Sequence, residues 1–158
     1  MIVSDSTVLI TLINIDEFRI LKVFVKTVII PYEVYTEVAQ KEDARNYLDR
    51  EIKEGFVLIE KYKDSLLFNT IHTELDSGES AAITLSLEKN LALIIDEKKG
   101  RKYANDKGIE IVGLVSILRF LYIENKISKS DVVKIVDALK KSDFRISQSL
   151  LNMILFKP

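Results

Sequence analysis

The sequence of 158 residues contains no cysteine and only one histidine, His72. The absence of cysteine excludes disulfides, thiolate metal sites and cysteine nucleophiles. One histidine cannot form a two-histidine metal site, and a Ser-His-Asp triad would have to use that residue. No glycine-rich phosphate-binding loop is present, which disfavours a nucleotide-binding enzyme. Any chemistry must therefore come mainly from carboxylates.

The sequence also lacks an excess of one charge and a long hydrophobic run. Lys and Arg number 23 and Asp and Glu 24, for a net charge of −1. This balance excludes a uniformly basic surface for nucleic acids but allows a local basic patch. The uncharged stretch Ser6–Ile15 is about half the length of a membrane-spanning helix, and no basic segment precedes it. We therefore expect a cytoplasmic protein without membrane association.

Short apolar runs alternate with longer segments of helical periodicity. The runs are mostly β-branched and continuous, as is typical of strands buried on both faces of a parallel sheet. This alternation predicts an α/β fold with three layers, α/β/α, around a central parallel sheet of about five strands. The predicted strands are Ile2–Ser4, Val28–Ile30, Val57–Ile59, Ala92–Ile95 and Glu110–Val112.

The segments between the predicted strands indicate helices, and the C-terminal part looks entirely helical. Pro31 suits the first turn of a helix that continues to Val38. Ser77 is a plausible N-cap of a helix that ends at Lys89. We expect residues 1–158 to form one domain, with residues 113–158 as a helical part of it. The other predicted helices are Glu42–Lys53, Glu97–Asp106, a segment after Gly113, a segment from Ser128 to Leu139, and Ser147–Leu155.

Acidic residues stand where the predicted sheet would bind a ligand. Asp5 directly follows the first strand and Asp96 the fourth, and open parallel sheets bind ligands beyond the carboxyl ends of their strands. Glu79 lies in the first turn of its helix and Glu37 near the second turn of another. Such a cluster would repel itself without a cation. Carboxylate oxygens suit Mg²⁺ or Mn²⁺, and a metal-activated water suits a phosphodiester substrate.

Each acid also has a purely structural interpretation. Asp5 could simply cap the following helix. Glu79 could complement the helix dipole. Glu37 could be a surface residue, with Glu33 one turn away on the same face. The positions taken together favour a functional role more strongly than any one of them does.

Four segments occur along the chain in this order: IVSDSTVLITL, IIPYEVYTEV, LDSGESAAITLSLEKN and LALIIDEKKGRKYA. Together they resemble the PIN-domain family, and more narrowly a bacterial or archaeal subgroup similar to VapC toxins. The segment GIEIVGLVSILRFLYIENKI also resembles that subgroup. The resemblance covers nearly the whole chain and implies a metal-dependent ribonuclease with a parallel sheet and an acidic pocket.

The resemblance also assigns site residues. It places the four family acids at Asp5, Glu37, Glu79 and Asp96. Thr7 takes the place of a hydroxyl residue that would position a water or a carboxylate. Ile94 stands where many PIN domains have Thr, and Glu97 where relatives often have a second Asp, so either Asp96 or Glu97 could be the ligand.

The resulting hypothesis gives each acid a role. Asp5, Glu79 and Asp96 would hold one or two Mg²⁺ or Mn²⁺ ions, directly or through waters. Glu37 would orient or deprotonate the attacking water, with Thr7 as an auxiliary residue.

The sequence contains two basic clusters, and the first could contact RNA. Lys98, Lys99 and Arg101 follow Asp96 and could grip the RNA backbone. A solvated helix face is the alternative for the lysines, and an ion pair with a pocket acid is the alternative for Arg101. A second cluster near the C-terminus contains Lys140, Lys141 and Arg145. His72 is expected to be a loop or surface histidine.

The resemblance thus implies a divalent-metal-dependent endoribonuclease that is the toxin of a toxin–antitoxin pair. The expected partners are an RNA substrate, a cognate antitoxin and a second copy of the chain, with the apolar stretch Thr11–Val25 as a source of dimer contacts. The alternative is a non-catalytic PIN-like module that binds RNA or protein. A phosphoryl-transfer enzyme with Asp5 as nucleophile ranks third, because Thr7 stands where such a phosphatase has a second Asp.

Overall fold

A five-stranded parallel sheet forms the centre of the computed structural model, which describes residues 1–158. Its spatial order is β3-β2-β1-β4-β5. The chain adds β2 and β3 on one side of β1 and then returns to add β4 and β5 on the other side. The strand order therefore reverses beside β1, between β1 and β4. The strands are β1 (Ile2–Ser4), β2 (Val28–Ile30), β3 (Val57–Ile59), β4 (Leu93–Ile94) and β5 (Ile111–Val112).

Ten helices surround this sheet and complete a three-layer α/β/α fold, which confirms the predicted fold class. None of them is both long enough and apolar enough to cross a membrane. The helices are α1 (Ser6–Asn14), α2 (Arg19–Phe24), α3 (Tyr32–Val38), α4 (Glu42–Lys53), α5 (Ser65–His72), α6 (Ser77–Lys89), α7 (Lys98–Asp106), α8 (Leu114–Ile123), α9 (Lys129–Lys140) and α10 (Gln148–Leu155).

Burial of the strands depends on their place in the sheet. Every residue of β1, β2 and β4 is buried, as the continuous apolar runs predict. The prediction is wrong for the edge strands, because an edge has a neighbour on one side only. Leu58 and Ile59 of β3 are each 37% exposed, and Ile111 and Val112 of β5 are half-buried.

Two helices were not expected from the sequence. The apolar stretch Thr11–Val25 contains the end of α1 and the whole of α2, separated by a turn in which Asp16 has φ 55°. Helix α5 precedes α6, and its last residue is His72. His72 is thus an exposed helical residue, so its predicted surface position is confirmed and the loop alternative is wrong.

One hydrophobic cluster of 37 buried residues extends through the molecule. It includes Leu118 of α8, Val136 of α9 and Ile154 of α10 together with the residues of the central strands. Helix α6 is buried continuously from Gly78 to Ser86, since it packs against α3, α5 and β1. This burial fixes the first turn of α6, which carries one of the predicted site residues, at the carboxyl edge of the sheet.

Candidate active site

Asp5 has the most unusual environment of the predicted site residues. It directly follows β1, and its backbone N–H donates to Ile94 O of β4 at 3.0 Å. Only 2% of the residue is exposed, and its Oδ1 is buried without a hydrogen-bond partner. Asp5 is the N-cap of α1 by backbone geometry, but its side chain accepts no capping hydrogen bond. The structural interpretation of Asp5 as a capping carboxylate therefore does not hold.

Burial is the main cause of a large change in the acidity of Asp5. It raises the pKa of the Asp5 carboxyl to about 7, while the adjacent Ser6 amide favours the ionised form. The nearby charges of Glu79 and Glu37 act in the same direction as burial. A proton or a cation would stabilise this carboxylate, since the Ser6 amide does not outweigh its burial and the neighbouring negative charges.

Glu79 is held by the capped start of α6. The side chain of Asp76, the N-cap, accepts a hydrogen bond from the Glu79 amide at 2.8 Å. The Glu79 residue is only 6% exposed. Burial, and after it the charge of Asp76, raises the pKa of Glu79 to about 7. A residue that merely complemented the helix dipole would have a stabilised carboxylate, whereas here the ionised form is disfavoured.

Glu37 joins α3 to the starts of α1 and α6. Its Oε2 accepts a hydrogen bond from the Ser6 hydroxyl, and its Oε1 accepts one from the Gly78 amide at 3.1 Å. A Cβ atom at position 78 would collide with the Glu37 carboxylate, so this contact requires glycine. Glu37 is half-buried and oriented by two donors, which does not match a free surface residue.

Asp96 is the second residue after β4, because this strand ends at Ile94, one residue earlier than predicted. Its Oδ2 accepts a hydrogen bond from the Leu114 amide at 3.1 Å. Its Oδ1 is 3.8 Å from Nη1 of Arg101, and the same Nη1 donates to Ile95 O at 3.0 Å. Burial raises the pKa of Asp96, while the Leu114 amide and the Arg101 charge lower it. Arg101 thus adopts the ion-pair alternative that the sequence left open.

The acids form two groups along the edge of the sheet. Charges of Glu79, Glu37 and Asp76 act on Asp5. The charges that act on Asp96 are those of Arg101 and Glu97. Glu79 connects the two groups, because the charges of both Asp76 and Glu97 raise its pKa. No three or more His, Asp or Glu side chains are close enough together to hold a metal ion directly.

The remaining predicted residues lie around these groups. Glu97 is the exposed N-cap of α7, and its charge raises the pKa of Asp96 and of Glu79. Lys98 and Lys99 follow it in the first turn of α7 and are exposed. Their predicted contact with RNA stays a prediction.

Thr7 follows Ser6 on α1 and is half-buried. It lines a cleft together with residues of α1 and residues 141–144. The hydroxyl that contacts a carboxylate is that of its neighbour Ser6, which donates to Glu37. The predicted role of Thr7 toward a water stays a prediction.

Two residues at the site were not identified as site residues from the sequence. Ser6 donates to Glu37, and Asp76 accepts from the Glu79 amide. Glu33, one turn before Glu37 on α3, has a buried Oε2 without a hydrogen-bond partner, and burial raises its pKa. The spacing Asp76-Ser-Gly-Glu79 was a usable signal for Asp76, because an N-cap acid is commonly followed by an acid three residues later.

The chemistry of these groups fits a hard divalent cation. Carboxylate oxygens are the ligands that Mg²⁺ and Mn²⁺ prefer. Asp5 offers an acceptor atom that is buried and has no partner. Arg101, the cation beside Asp96, is already engaged with that acid and with a backbone carbonyl. The edge can therefore accommodate additional positive charge.

No curated protein shows significant sequence similarity to this chain. A family model described as a PIN domain matches residues 1–157. Because this match covers nearly the whole sequence, the chain belongs to the PIN-domain family, whose members are generally nucleases.

Proposed function

We propose that the protein is a divalent-metal-dependent endoribonuclease that hydrolyses RNA phosphodiesters. The observation that carries this proposal is the buried, unpartnered Oδ1 of Asp5 beside the carboxylates of Glu79 and Glu37. A bound cation would offset the unfavourable burial of this charge. PIN-domain nucleases typically use divalent metals, which agrees with this assignment.

In this proposal each acid has a separate task. Asp5, Glu79 and Asp96 would hold Mg²⁺ or Mn²⁺, with Glu97 as an alternative ligand to Asp96. Mg²⁺ usually keeps several waters, so carboxylates too far apart for direct ligation can act through them. When bound, the ion lowers the pKa of a water and stabilises charge on phosphoryl oxygens.

Glu37 would orient or deprotonate the attacking water. The Ser6 hydroxyl and the Gly78 amide each donate to one of its carboxylate oxygens, which fixes the plane of the group. Each oxygen keeps a second lone pair for a water. Thr7 would act as an auxiliary residue at the start of α1.

We further propose that the protein acts in the cytoplasm as the toxin of a toxin–antitoxin pair and forms a homodimer. The motif resemblance to VapC toxins supports the first statement. Val23 is 40% and Phe120 46% exposed, and Phe24 packs on Phe120 with ring centroids 5.7 Å apart. These side chains supply apolar surface for a second copy. A small antitoxin reading frame immediately upstream in the genome is the expected finding for the toxin assignment.

A non-catalytic PIN-like module that binds RNA or protein is the second candidate function. The absence of three closely gathered carboxylates favours it. The two candidates differ in metal binding, because a non-catalytic module has no need of a divalent ion at these acids.

The test is a calorimetric titration of Mn²⁺ into the wild type, Asp5→Asn and Asp96→Asn. Asp43→Asn is the control, because it removes an exposed acid outside the site. We expect saturable binding in the wild type and the control, and its loss in both site variants. Absence of binding in the wild type would favour the non-catalytic module. Unchanged binding in either site variant would place the metal elsewhere.

A further inference from the structure

A cleft of about 500 Å³ begins two residues beyond Asp5 and runs along the exposed face of α1. Its α1 side consists of Thr7, Ile10, Thr11 and Asn14. Thr7, Thr11 and Asn14 share one helix face, since residues four and three apart lie above one another. They extend about 10 Å along the axis of α1. One wall of the cleft therefore offers a row of uncharged hydrogen-bonding groups that starts next to the candidate active site.

The opposite wall is the segment that follows α9, residues 141–144. Lys141 and Asp143 are its charged members, and Lys140 and Arg145 line the adjoining cavity of about 630 Å³. Lys140, Lys141 and Arg145 are exposed, and none of them forms an ion pair within 4.0 Å. Three unpaired cations thus lie on this wall and in the adjoining cavity, with Asp143 as the one acid among them, although the whole chain carries a net charge of −1.

The candidate active site needs cations of this kind nearby. An edge rich in carboxylates repels a phosphate chain, so the flanking phosphates of a substrate must be held by positive groups outside that edge. Arg101 cannot serve freely, because it already contacts Asp96 and the Ile95 carbonyl. The cleft supplies free cations, which Arg101 cannot do, and it starts on α1, the helix that directly follows Asp5.

We propose that this cleft binds the phosphate backbone of single-stranded RNA on one side of the bond that is cleaved. Thr7, Thr11 and Asn14 hydrogen-bond to phosphate and sugar oxygens, and the three cations neutralise the phosphates that follow. The contacts fit a backbone, because six of the eight lining residues are polar or charged and Phe144 is the one aromatic residue among them. The inference rests on the proposed ribonuclease function and adds the path of its substrate.

The test measures binding of a fluorescein-labelled oligouridine by fluorescence anisotropy in EDTA, so that cleavage does not interfere. The cleft variant is Lys140→Gln, Lys141→Gln and Arg145→Gln together. The matched control is Lys26→Gln, Lys53→Gln and Lys126→Gln together, which removes the same charge from exposed residues without ion pairs. Thermal unfolding verifies that both variants fold. A double variant, Lys98→Gln with Lys99→Gln, tests the other basic cluster.

The cleft variant is expected to bind the oligouridine about tenfold more weakly than the wild type, or more weakly still. The slope of the logarithm of its binding constant against the logarithm of salt concentration is expected to decrease in magnitude by about two, since each phosphate contact on a single strand contributes about 0.7. The control is expected to keep the wild-type slope. Equal losses in the cleft variant and the control overturn the proposal, as does a wild type that does not bind the oligouridine. Titration with Mn²⁺ separates the nuclease hypothesis from the cleft hypothesis. The cleft variant is expected to bind Mn²⁺ as the wild type does. Failure of the wild type to bind Mn²⁺ counts against the nuclease rather than the cleft.

Discussion

At the scale of single residues, two aspartates at helix starts show opposite environments. Asp131 belongs to the capping box of α9, in which Ser128 donates from its amide and its hydroxyl to the carboxylate. These hydrogen bonds lower the pKa of Asp131. Asp5 begins α1 but is buried without such donors to its Oδ1, and its pKa is raised. Asp131 contributes to the stability of the fold, whereas Asp5 is kept at the expense of stability.

This difference predicts how the stability of the metal-free protein depends on pH. The ordinary pKa of an aspartate is 3.8, and that of Asp5 in the folded protein is about 7. Between these values the folded state binds more protons than the unfolded state, so the free energy of unfolding decreases as pH rises through 7. We expect a decrease on the order of 3 kcal/mol from Asp5 alone between about pH 5 and about pH 8. Urea unfolding in EDTA at the two pH values measures it.

Asp5→Asn is the variant that isolates this effect. It removes the buried charge, so its free energy of unfolding should vary less with pH and exceed that of the wild type above pH 7. Asp43→Asn, which changes an exposed acid, is expected to keep the wild-type pH dependence. A wild type that is equally stable at both pH values contradicts the assignment of an uncompensated charge to Asp5.

The sequence places the acids on the correct elements but not their hydrogen-bond partners. Asp5 and Asp96 are predictable because a strand end fixes where the following side chain stands. Ser6 and Thr7 are both hydroxyl residues after Asp5, and only the rotation of α1 about its axis decides that Ser6 contacts Glu37. Asp76 and Ser77 are similarly interchangeable as N-caps in the sequence, and the structure assigns this role to Asp76.

At the scale of elements, the strands and the long helices follow from apolar periodicity, and the two missed helices are short. Helix α2 has six residues and no side-chain cap, so its sequence carries little signal. The sequence of helix α5, in contrast, does contain residues that indicate a helix. Asp64 caps it by accepting from the Leu67 amide at 2.9 Å, and Leu67 and Ile71 lie one turn apart on its inner face.

The close approach of α7 to the site depends on Gly100. A Cβ atom there would lie 2.6 Å from Glu79 Oε1 and 2.7 Å from Ile95 Cδ1. Ile95 is fully buried, so in Gly100→Ala the Glu79 carboxylate has to move. We expect this variant to lose about 1–3 kcal/mol of stability and to bind Mn²⁺ more weakly, as measured by urea unfolding and calorimetry.

Gly108→Ala serves as its control. Position 108 has open space around the missing Cβ, but its φ of +79° strains any other residue. This variant is therefore expected to lose stability without losing affinity for Mn²⁺. Equal effects of the two substitutions on metal affinity would show that Gly100 acts only through general stability.

At the scale of the whole molecule, the shared core bears on domain organisation. Residues of α8, α9 and α10 belong to the same cluster as the central strands, and α8 also contacts α2 from the first part of the chain. We propose that residues 1–158 form one domain, as the sequence predicts. Unfolding in urea should then be one transition that coincides for circular dichroism and tyrosine fluorescence. A separate earlier transition of the C-terminal helices would show that residues 113–158 form an independent unit.

The position of β1 in the middle of the sheet has a consequence for the nascent chain. The first strand to leave the ribosome pairs with β2, but its second neighbour, β4, is made only after most of the chain has been translated. Synthesis proceeds at about 5–20 residues per second, so this edge of β1 stays open for several seconds. During that time Asp5 has neither Ile94 beside it nor Asp96 near it. The cell therefore receives the assembled acidic edge only after more than half of the chain has been translated, and products truncated before Asp96 lack it.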